Sequence, residues 1–278
     1  MDKRPIGVFD SGLGGLTAVK ALRRLLPGED IVYFGDTGRV PYGPRGRAVI
    51  ARYAAEDAAF LLRHDVKAVL CACGTVSSVA GAALAERMPC PFFTVVEPAA
   101  RAACAATRNG KIGAVGTQAT IGSGSFARAI ERIAPGCTVF SRACPLFVPL
   151  VEAGHLSGDP LTALAVEEYL APVAGAGVDT LILGCTHYPI LEPAIAAFMG
   201  QQVTLIDSGA AAAAQTAEIL AAENLLSGCA EGGKTAYFVT DAPDDFAATA
   251  GIFLGEDLHG EVIQIDISQL ETPAAGAI

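Results

Sequence analysis

The sequence is poor in charge, and positive charge is the scarcer kind. Charged residues make up 17% of the 278 residues, and 19 lysines and arginines stand against 29 aspartates and glutamates, for a formal net charge of −10. General nucleic-acid binding requires a basic surface, so this deficit excludes that class of protein. An anionic small substrate stays compatible with the composition, because backbone N–H groups can make a site locally positive.

Long apolar runs are missing as well, although hydrophobic residues make up 52% of the chain. The longest uncharged stretch, 68–85, is interrupted by Gly74, Thr75 and Ser77, and so predicts a buried strand, turn and helix instead of a membrane span. The first residues lead into a predicted strand without the apolar region of a signal peptide. We therefore expect a cytoplasmic protein with a large core and no membrane association.

The eight cysteines have no evident pairing pattern. In a chain with ample core and no secretion signal, they are expected to be reduced thiols. Five of them are predicted to be small core residues, as free cysteines usually are: Cys90, Cys104, Cys137, Cys144 and Cys229.

Short apolar runs alternate with Ala-rich amphipathic stretches along the chain. The β-rich runs are 6–9, 31–34, 68–72, 92–96, 112–116, 138–140, 181–184, 203–206 and 236–239. The helical stretches between them include 16–26, 48–62, 161–174 and 210–226. This alternation predicts an α/β protein whose parallel sheets are covered by helices. In such sheets, ligands bind beyond the carboxyl ends of the strands.

The chain also repeats a pattern within itself. Segment 6–11 resembles segment 112–117, since each is a strand that leads into glycine, serine or threonine before a helix. Cys73 follows the first segment and Cys185 the second at similar offsets. Two related α/β halves would explain this, with a site between them that receives one cysteine from each. Chance similarity between two ordinary strand–turn–helix units is the alternative.

The segments 69–75 and 181–187 carry the most informative chemistry. Each is an apolar run that ends in a cysteine, Cys73 or Cys185, followed almost at once by threonine and by helix-like sequence. A helix N-terminus lowers the pKa of a thiol, so each cysteine is expected to ionise readily. Two such thiols predict a pair of acid/base groups that face each other across a substrate. His187 is placed to assist proton transfer or to bind substrate.

Two other chemistries, a zinc site and a serine hydrolase, compete with this interpretation. Cys71, Cys73, Cys185 and His187 are a ligand set that zinc accepts. However, Cys71 and Cys73 lie two apart on a strand and no second Cys-x-x-Cys pair follows, which favours the acid/base interpretation. A serine hydrolase is not supported, since segment 122–126 is not a Gly-x-Ser-x-Gly elbow.

Two glycine-containing turns are further candidates for the site. The turn 10–15 lets backbone N–H groups approach an anion, but it has neither the dinucleotide spacing nor a P-loop lysine. Asp10 beside it suits an ammonium group, so a zwitterionic amino acid would fit. In the turn 35–43, Pro41 and Gly43 direct the chain and Tyr42 offers a hydroxyl and backbone contacts. Either turn is also compatible with a purely structural role.

Taken in order, these motifs resemble the glutamate racemases of the aspartate/glutamate racemase superfamily. The similar segments are 9–17, 35–37, 41–43, 116–120, 149–152, 183–189, 207–209, 237–240 and 253–255. The resemblance implies two related, doubly wound parallel-sheet α/β domains with the active site in the cleft between them. It implies domains of 1–97 plus 210–278 and of 98–209. The implied activity is a cofactor-independent interconversion of L- and D-glutamate, which supplies D-glutamate for peptidoglycan synthesis.

The resemblance also implies roles for individual residues. The catalytic cysteines would be Cys73 and Cys185, with Asp10, Glu152 and His187 as auxiliary catalytic groups. The substrate would be bound by Asp10, Ser11, Pro41, Tyr42, Gly43, Gly74, Thr75, Thr117, Thr186 and His187. The small-molecule substrate would be glutamate, no metal would be required, and a homodimer is the assembly that the resemblance suggests.

One position departs from the family pattern. Where these enzymes usually have Cys-Asn-Thr, this chain has Cys73, Gly74 and Thr75. Gly74 keeps its backbone N–H but is expected to leave a space, which water or a neighbouring group would fill. We therefore expect Gly74→Asn to preserve activity or to improve substrate binding. A racemase for another amino acid, such as aspartate, is the nearest alternative.

Overall fold

The computed structural model describes residues 1–270, which form two parallel β-sheets. The first sheet has the strand order β10-β9-β2-β1-β3-β4 and the second has the order β6-β5-β7-β8. The first sheet consists of β1 (Ile6–Asp10), β2 (Ile31–Gly35), β3 (Ala68–Cys71), β4 (Phe92–Thr94), β9 (Thr235–Val239) and β10 (Val262–Gln264). The second consists of β5 (Lys111–Gly116), β6 (Thr138–Ala143), β7 (Thr180–Leu183) and β8 (Thr204–Asp207).

The two sheets share one strand order. In chain order, the second strand of each lies beside the first, followed by the third and the fourth, and β9 and β10 extend the first sheet beyond β2. The predicted pair of related parallel-sheet halves is therefore confirmed, and β1 and β5 occupy equivalent places. Strand β10 was not predicted. Cys73 and Cys185 both follow the third strand of their half, at the point where the strand order reverses and a crevice opens.

Helices cover both faces of the sheets. They are α1 (Leu16–Leu25), α2 (Arg47–Leu62), α3 (Gly74–Val79), α4 (Gly81–Ala85), α5 (Val96–Ala106), α6 (Gln118–Ser123), α7 (Ser125–Ile133), α8 (Phe147–Glu152), α9 (Pro160–Gly175), α10 (Glu192–Met199), α11 (Ser208–Ala222) and α12 (Pro243–Leu254). Short 3₁₀ turns lie at Thr37–Arg39, Tyr188–Leu191 and Ile267–Gln269.

Strand β1 illustrates why the first sheet needs two helical layers. All five of its residues are buried, as expected for a parallel strand that is covered on both faces. Because side chains alternate along a strand, Ile6 and Val8 join the core under α1 and α12, while Phe9 joins the core under α2. Gly7 lets α2 approach closely, since a Cβ there would lie 3.1 Å from Leu61 Cδ1.

The second sheet is enclosed in the same way. Ile112 and Ile182 pack with the apolar faces of α5 and α7. On the opposite face, Leu181 and Leu183 pack with α9 and α10, in a core that continues into the first half. This shared core ties the two halves together and holds the carboxyl ends of their sheets next to one another.

The chain passes from one sheet to the other through α5 and back through α11. The expected domain boundaries, 97/98 and 209/210, fall within these two helices, and they stay a prediction. Helix α5 begins at Val96, two residues after β4 ends, so the strand predicted over 92–96 is too long. Within residues 1–270, no helix combines the length and apolar character needed to cross a membrane.

Candidate active site

A cavity of about 290 Å³ lies where the carboxyl ends of the two sheets meet. The first half lines it with Ser11, Pro41, Tyr42, Gly43, Cys73, Gly74 and Thr75, and the second half with Thr117, Glu152, Cys185, Thr186 and His187. Every residue expected at the site except Asp10 thus lines this single cavity. Residues not expected there complete the lining: Val40, Pro44, Gln118, Cys144, Pro145, Val148 and Pro149.

The two cysteines enter the cavity from equivalent strand ends but from different local structures. Cys73 is the N-cap of α3, as predicted. Cys185 precedes the 3₁₀ turn Tyr188–Leu191, and α10 begins only at Glu192, so the helix start predicted directly after Cys185 is wrong. The two residues are 4% and 6% exposed, which shields both thiols from bulk water.

Cys73 is held as a neutral thiol. Burial and the nearby Asp10 carboxylate raise its pKa to about 12, and together they outweigh the Val76 backbone N–H and the Ser11 hydroxyl. Its Sγ lies 3.6 Å from Ser11 Oγ. The predicted lowering of the Cys73 pKa by the start of α3 is therefore wrong for this state of the site, because desolvation is the stronger effect.

Cys185 has a different electrostatic environment. Its Sγ lies 4.0 Å from His187 Nδ1, and His187 Nε2 lies 2.9 Å from Glu152 Oε1. Burial opposes protonation of the ring, but the contacts with Cys185 and Glu152 outweigh it and raise the pKa of His187 to about 10. The edge-on ring of Phe253 flanks the imidazole at 5.2 Å between centroids. An imidazolium thus stands beside the Cys185 sulfur.

Cys73 and Cys185, which line one cavity from equivalent strand ends of the two halves, are the arrangement that the sequence motifs predicted. The family model described as Asp/Glu/hydantoin racemase matches residues 15–216. The chain belongs to this racemase family. It is 45% identical to the glutamate racemase of Geobacter metallireducens over 267 residues, which cover 96% of this chain and 98% of the relative.

Solved structures of other members agree with this assignment. Glutamate racemase from Francisella tularensis in complex with D-glutamate superposes with a TM-score of 0.88 at 37% identity, covering 96% of this chain and 98% of that one. The Thermus thermophilus glutamate racemase in complex with β-chloro-D-alanine has a TM-score of 0.87 at 48% identity, covering 96% and 99%. These relatives share the two-domain parallel-sheet fold of this racemase.

Asp10 lies behind the cavity wall of the racemase. It is 1% exposed, its Oδ2 accepts a hydrogen bond from Gly12 N at 3.0 Å, and its Oδ1 accepts one from Thr186 Oγ1 at 3.5 Å. Burial raises the pKa of Asp10, and the His187 charge opposes that shift. In this arrangement Asp10 influences Cys73 through its charge, and it does not form part of the surface that faces the cavity.

The Tyr42 hydroxyl is engaged by two carboxyl groups that do not line the cavity. It donates to Asp36 and lies 3.0 Å from Asp57 Oδ2, so the predicted offer of this hydroxyl to a ligand is wrong. Pro41, Tyr42 and Gly43 all line the cavity. Gly43 O accepts a hydrogen bond from Ala119 N of the other half at 3.3 Å.

Small hydroxyl side chains join the halves around the cavity. Thr75 Oγ1 and Thr117 Oγ1 are 2.9 Å apart, and Ser125 Oγ donates to Ser78 Oγ at 3.0 Å. Each pair connects α3 with the second half. These contacts fix the position of α3, and with it Cys73, relative to the second half.

Of the two expected occupants of the space at Gly74, water or a neighbouring group, the structure shows the neighbouring group, the backbone of Gly184. A Cβ at Gly74 would lie 2.2 Å from the carbonyl oxygen of Gly184. Gly184 has little room to retreat, because a Cβ on it would lie 2.7 Å from Val115 O and 2.6 Å from the Phe126 ring. The backbones that carry Cys73 and Cys185 are thus in direct contact, and the expectation that a side chain would fit at Gly74 is wrong.

Sequence reasoning overlooked Cys144, which lines the cavity although it was predicted to be a core residue. Burial raises the pKa of this thiol to about 12, ahead of the opposing Arg142 charge. Cys144 follows β6 directly, at the carboxyl edge of the sheet where ligands bind, and this position could have indicated that it lies at the cavity. Cys144 is nevertheless fully buried within the core that the two halves share, so its prediction as a core residue is confirmed. Cys229 is exposed, so the core prediction is wrong there, and Cys90, Cys104 and Cys137 are half-buried.

All eight cysteines are free thiols. In the part of the chain that the structure describes, no group of three or more His, Cys, Asp or Glu side chains is arranged to hold a metal ion.

Proposed function

We propose that this protein interconverts L- and D-glutamate by moving the α-proton between two thiols, in a reaction that needs no cofactor. The observation that carries the proposal is the pair Cys73 and Cys185, buried in one cavity at equivalent strand ends of the two halves. The choice of glutamate as substrate rests on the family and on the extent of similarity to glutamate racemases.

Inversion of an α-carbon requires that a proton leave one face and that another be returned to the opposite face. Two groups on opposite sides achieve this without rotation of the substrate. The reaction in one direction needs a proton donor on one side and an acceptor on the other: Cys73, whose pKa is raised to about 12, is the donor, and Cys185, with the charged His187 ring 4.0 Å from its Sγ, is the acceptor. By the assignment that the family resemblance implies, Cys185 takes the proton from L-glutamate while Cys73 delivers one to the opposite face. The reverse reaction needs the opposite protonation of the pair.

The α-proton of an amino acid is very weakly acidic, so the carbanion formed between the two proton transfers is high in energy. It needs stabilisation by fixed dipoles. Hydroxyls of Ser11, Thr75, Thr117 and Thr186 line the cavity, together with backbone N–H groups at the start of α3. Such preorganised donors act strongly where water is excluded. The near-complete burial of both cysteines provides that exclusion.

Turnover in D₂O tests the reaction. With L- or D-glutamate, the product enantiomer should carry deuterium at the α-carbon from the first turnover, and the unreacted substrate should stay protonated at early times. Cys73→Ala and Cys185→Ala should each abolish racemisation in a folded protein, whereas Cys229→Ala, at an exposed thiol, should not change it. Product that retains the substrate's own hydrogen, or full activity in either cavity variant, would refute the two-thiol mechanism. Faster turnover of aspartate than of glutamate would refute the substrate.

We further propose that the product serves peptidoglycan synthesis and that the protein works in the cytoplasm as a homodimer. Eight free thiols are typical of a reducing compartment and support the location. The dimer rests on the resemblance alone, and sedimentation velocity would test it.

A further inference from the structure

A buried cluster of charged and hydroxyl groups lies beneath the segment 41–43, on the side away from the cavity. Its carboxylates Asp36 and Asp57 are fully buried and Tyr42 is 1% exposed. Tyr42 also lines the cavity, whereas Asp36 and Asp57 do not. The function proposed above does not use these carboxylates.

The contacts within the cluster are specific. Asp36 accepts hydrogen bonds from Arg39 Nε at 2.6 Å and from Thr240 Oγ1 at 2.9 Å, and a third from the Tyr42 hydroxyl. Asp57 Oδ1 accepts a hydrogen bond from Arg39 Nη2 at 3.1 Å, and its Oδ2 lies 3.0 Å from Tyr42 Oη. Arg39 also pairs with Glu56.

The Tyr42 hydroxyl cannot donate a full hydrogen bond to Asp36 and to Asp57 at once. The Tyr42 hydroxyl has one proton, yet its oxygen lies within hydrogen-bond distance of two carboxyl groups. Asp36 already accepts hydrogen bonds on both of its oxygens, from Arg39 Nε and from Thr240 Oγ1, so it acts as an acceptor and takes the Tyr42 proton as well. The contact with Asp57 is then a hydrogen bond only if Asp57 carries a proton of its own and donates it to Tyr42 Oη.

The surroundings of Asp57 agree with a neutral acid. The titratable groups around it are Asp36, Arg39, Tyr42, Glu56 and Cys71. Asp36, Asp57 and Glu56 all contact the Arg39 guanidinium, and an exposed second cation, Arg52, places its Nε 3.9 Å from Glu56 Oε1. Burial, and then the Asp36 charge, hold the pKa of Asp57 well above its usual range, which the Arg39 charge only partly offsets.

The cluster is connected to the cavity through the backbone. Asp57 belongs to α2, Asp36 follows β2 and Thr240 follows β9, so three separate elements anchor the base of the segment that carries residues 41–43. Asp36 N also donates to Asp10 O at 3.1 Å, which joins this loop to the turn after β1. A shift of the Tyr42 ring would therefore move a part of the cavity wall.

We propose that Asp57, which does not reach the cavity, is the positioning residue for the wall segment 41–43, and that it acts as a neutral carboxylic acid that donates its proton to Tyr42 Oη. This inference rests on the proposed function, because it assigns the segment a part in binding the substrate of that reaction.

Two substitutions at Asp57 separate the possible roles. In Asp57→Asn, the amide nitrogen can donate to Tyr42 Oη while the amide oxygen accepts from Arg39, so the variant imitates the neutral acid. We expect its KM for glutamate and its kcat to stay within about twofold of the parent values. Asp57→Ala removes the donor, and we expect KM to rise about tenfold or more, with a smaller change in kcat, because both thiols lie on other segments.

Asp179→Ala is the matched control. Asp179 is also a buried carboxylate that anchors a loop, accepting hydrogen bonds from Arg108 N and Asn109 N at 2.7 and 2.8 Å, but it lies outside the cavity wall. It should lower the melting temperature and leave KM unchanged. Should Asp57→Ala fail to fold, Tyr42→Phe removes the same hydrogen bond from the other side and should raise KM in the same way.

The outcomes distinguish this inference from the function on which it rests. If the parent protein does not racemise glutamate, the proposed function fails. If the parent is active and Asp57→Ala lowers only the melting temperature, the positioning role is refuted. An Asp57→Asn variant as impaired as Asp57→Ala would show that Asp57 works as a carboxylate, and would refute the neutral-acid assignment.

Discussion

The contact between Gly74 and Gly184 leaves no room for a side chain at position 74. A methyl group added at Gly74 would lie 2.2 Å from the Gly184 carbonyl oxygen, whereas ordinary contact begins at 3.4 Å. Relief of the overlap in Gly74→Ala therefore needs a separation of about 1.2 Å between the two backbones, the difference of these distances. Gly184 is enclosed by Val115 O and Phe126, so the strain falls on the junction of the halves.

That displacement acts on the distance across which the proton must travel. Cys73 and Cys185 adjoin the two contacting glycines in the sequence, so the sulfurs should move apart with the backbones. A misplacement of about 1 Å can cost about 10²-fold in rate. We expect Gly74→Ala to lower kcat by about that factor, and Gly74→Asn to lower it at least as much, which reverses the expectation drawn from the sequence.

The assay is racemisation of L- and D-glutamate followed by circular dichroism, with a thermal melt of each variant. Gly122→Ala is the control, because Gly122 lies in helix α6 and a Cβ there would meet nothing within 4 Å. It should keep kcat and gain up to about 1 kcal/mol of stability. A folded Gly74→Ala enzyme with the kcat of the parent would refute the reasoning, since the contact would then not govern the spacing of the thiols.

Two further predictions concern the electrostatics and the junction of the halves. The pKa of His187 is raised from 6.5 to about 10 in the folded protein, so the charged ring stabilises the fold fully below pH 6.5 and this contribution is lost as pH rises toward 10. Urea unfolding at several pH values should show this fall, on the order of a few kcal/mol, and His187→Asn should flatten it; an unchanged slope would contradict the assigned charge. Thr75→Val should cost about 1 kcal/mol in unfolding free energy, because Thr117 keeps its hydrogen bond from Thr120 N. A loss above about 3 kcal/mol would mean that the Thr75 hydroxyl carries more than this one bond.

Much of the architecture could be predicted because it depends on local patterns. Nine of the strands stand near their predicted places, since a parallel strand buried on both faces needs an apolar run of about the length observed. Strand β10 was missed because its three residues are at most partly buried at a sheet edge and leave a weak apolar signal. The equivalence of the two halves followed from the similarity between β1 and β5, and the shared strand order confirms it.

The environment of the site was less predictable, because it depends on distances between segments far apart in the chain. Tyr42 was expected to offer its hydroxyl to a ligand, but Asp57 of α2 and Asp36, which follows β2, occupy that hydroxyl with hydrogen bonds. The thiol of Cys73 was expected to ionise readily at a helix start, yet the depth at which the fold buries it, beside Asp10, has the larger effect on its pKa.

The sequence alone determined that two cysteines end apolar strands in two related α/β halves, since strand length, alternation and turn chemistry are written in neighbouring residues. Only the tertiary structure decided that Gly74 and Gly184 touch, that Cys185 has an imidazolium beside it, and that Asp10 lies behind the wall. Desolvation and close packing are properties of the space between segments, and that space exists only once the halves have come together.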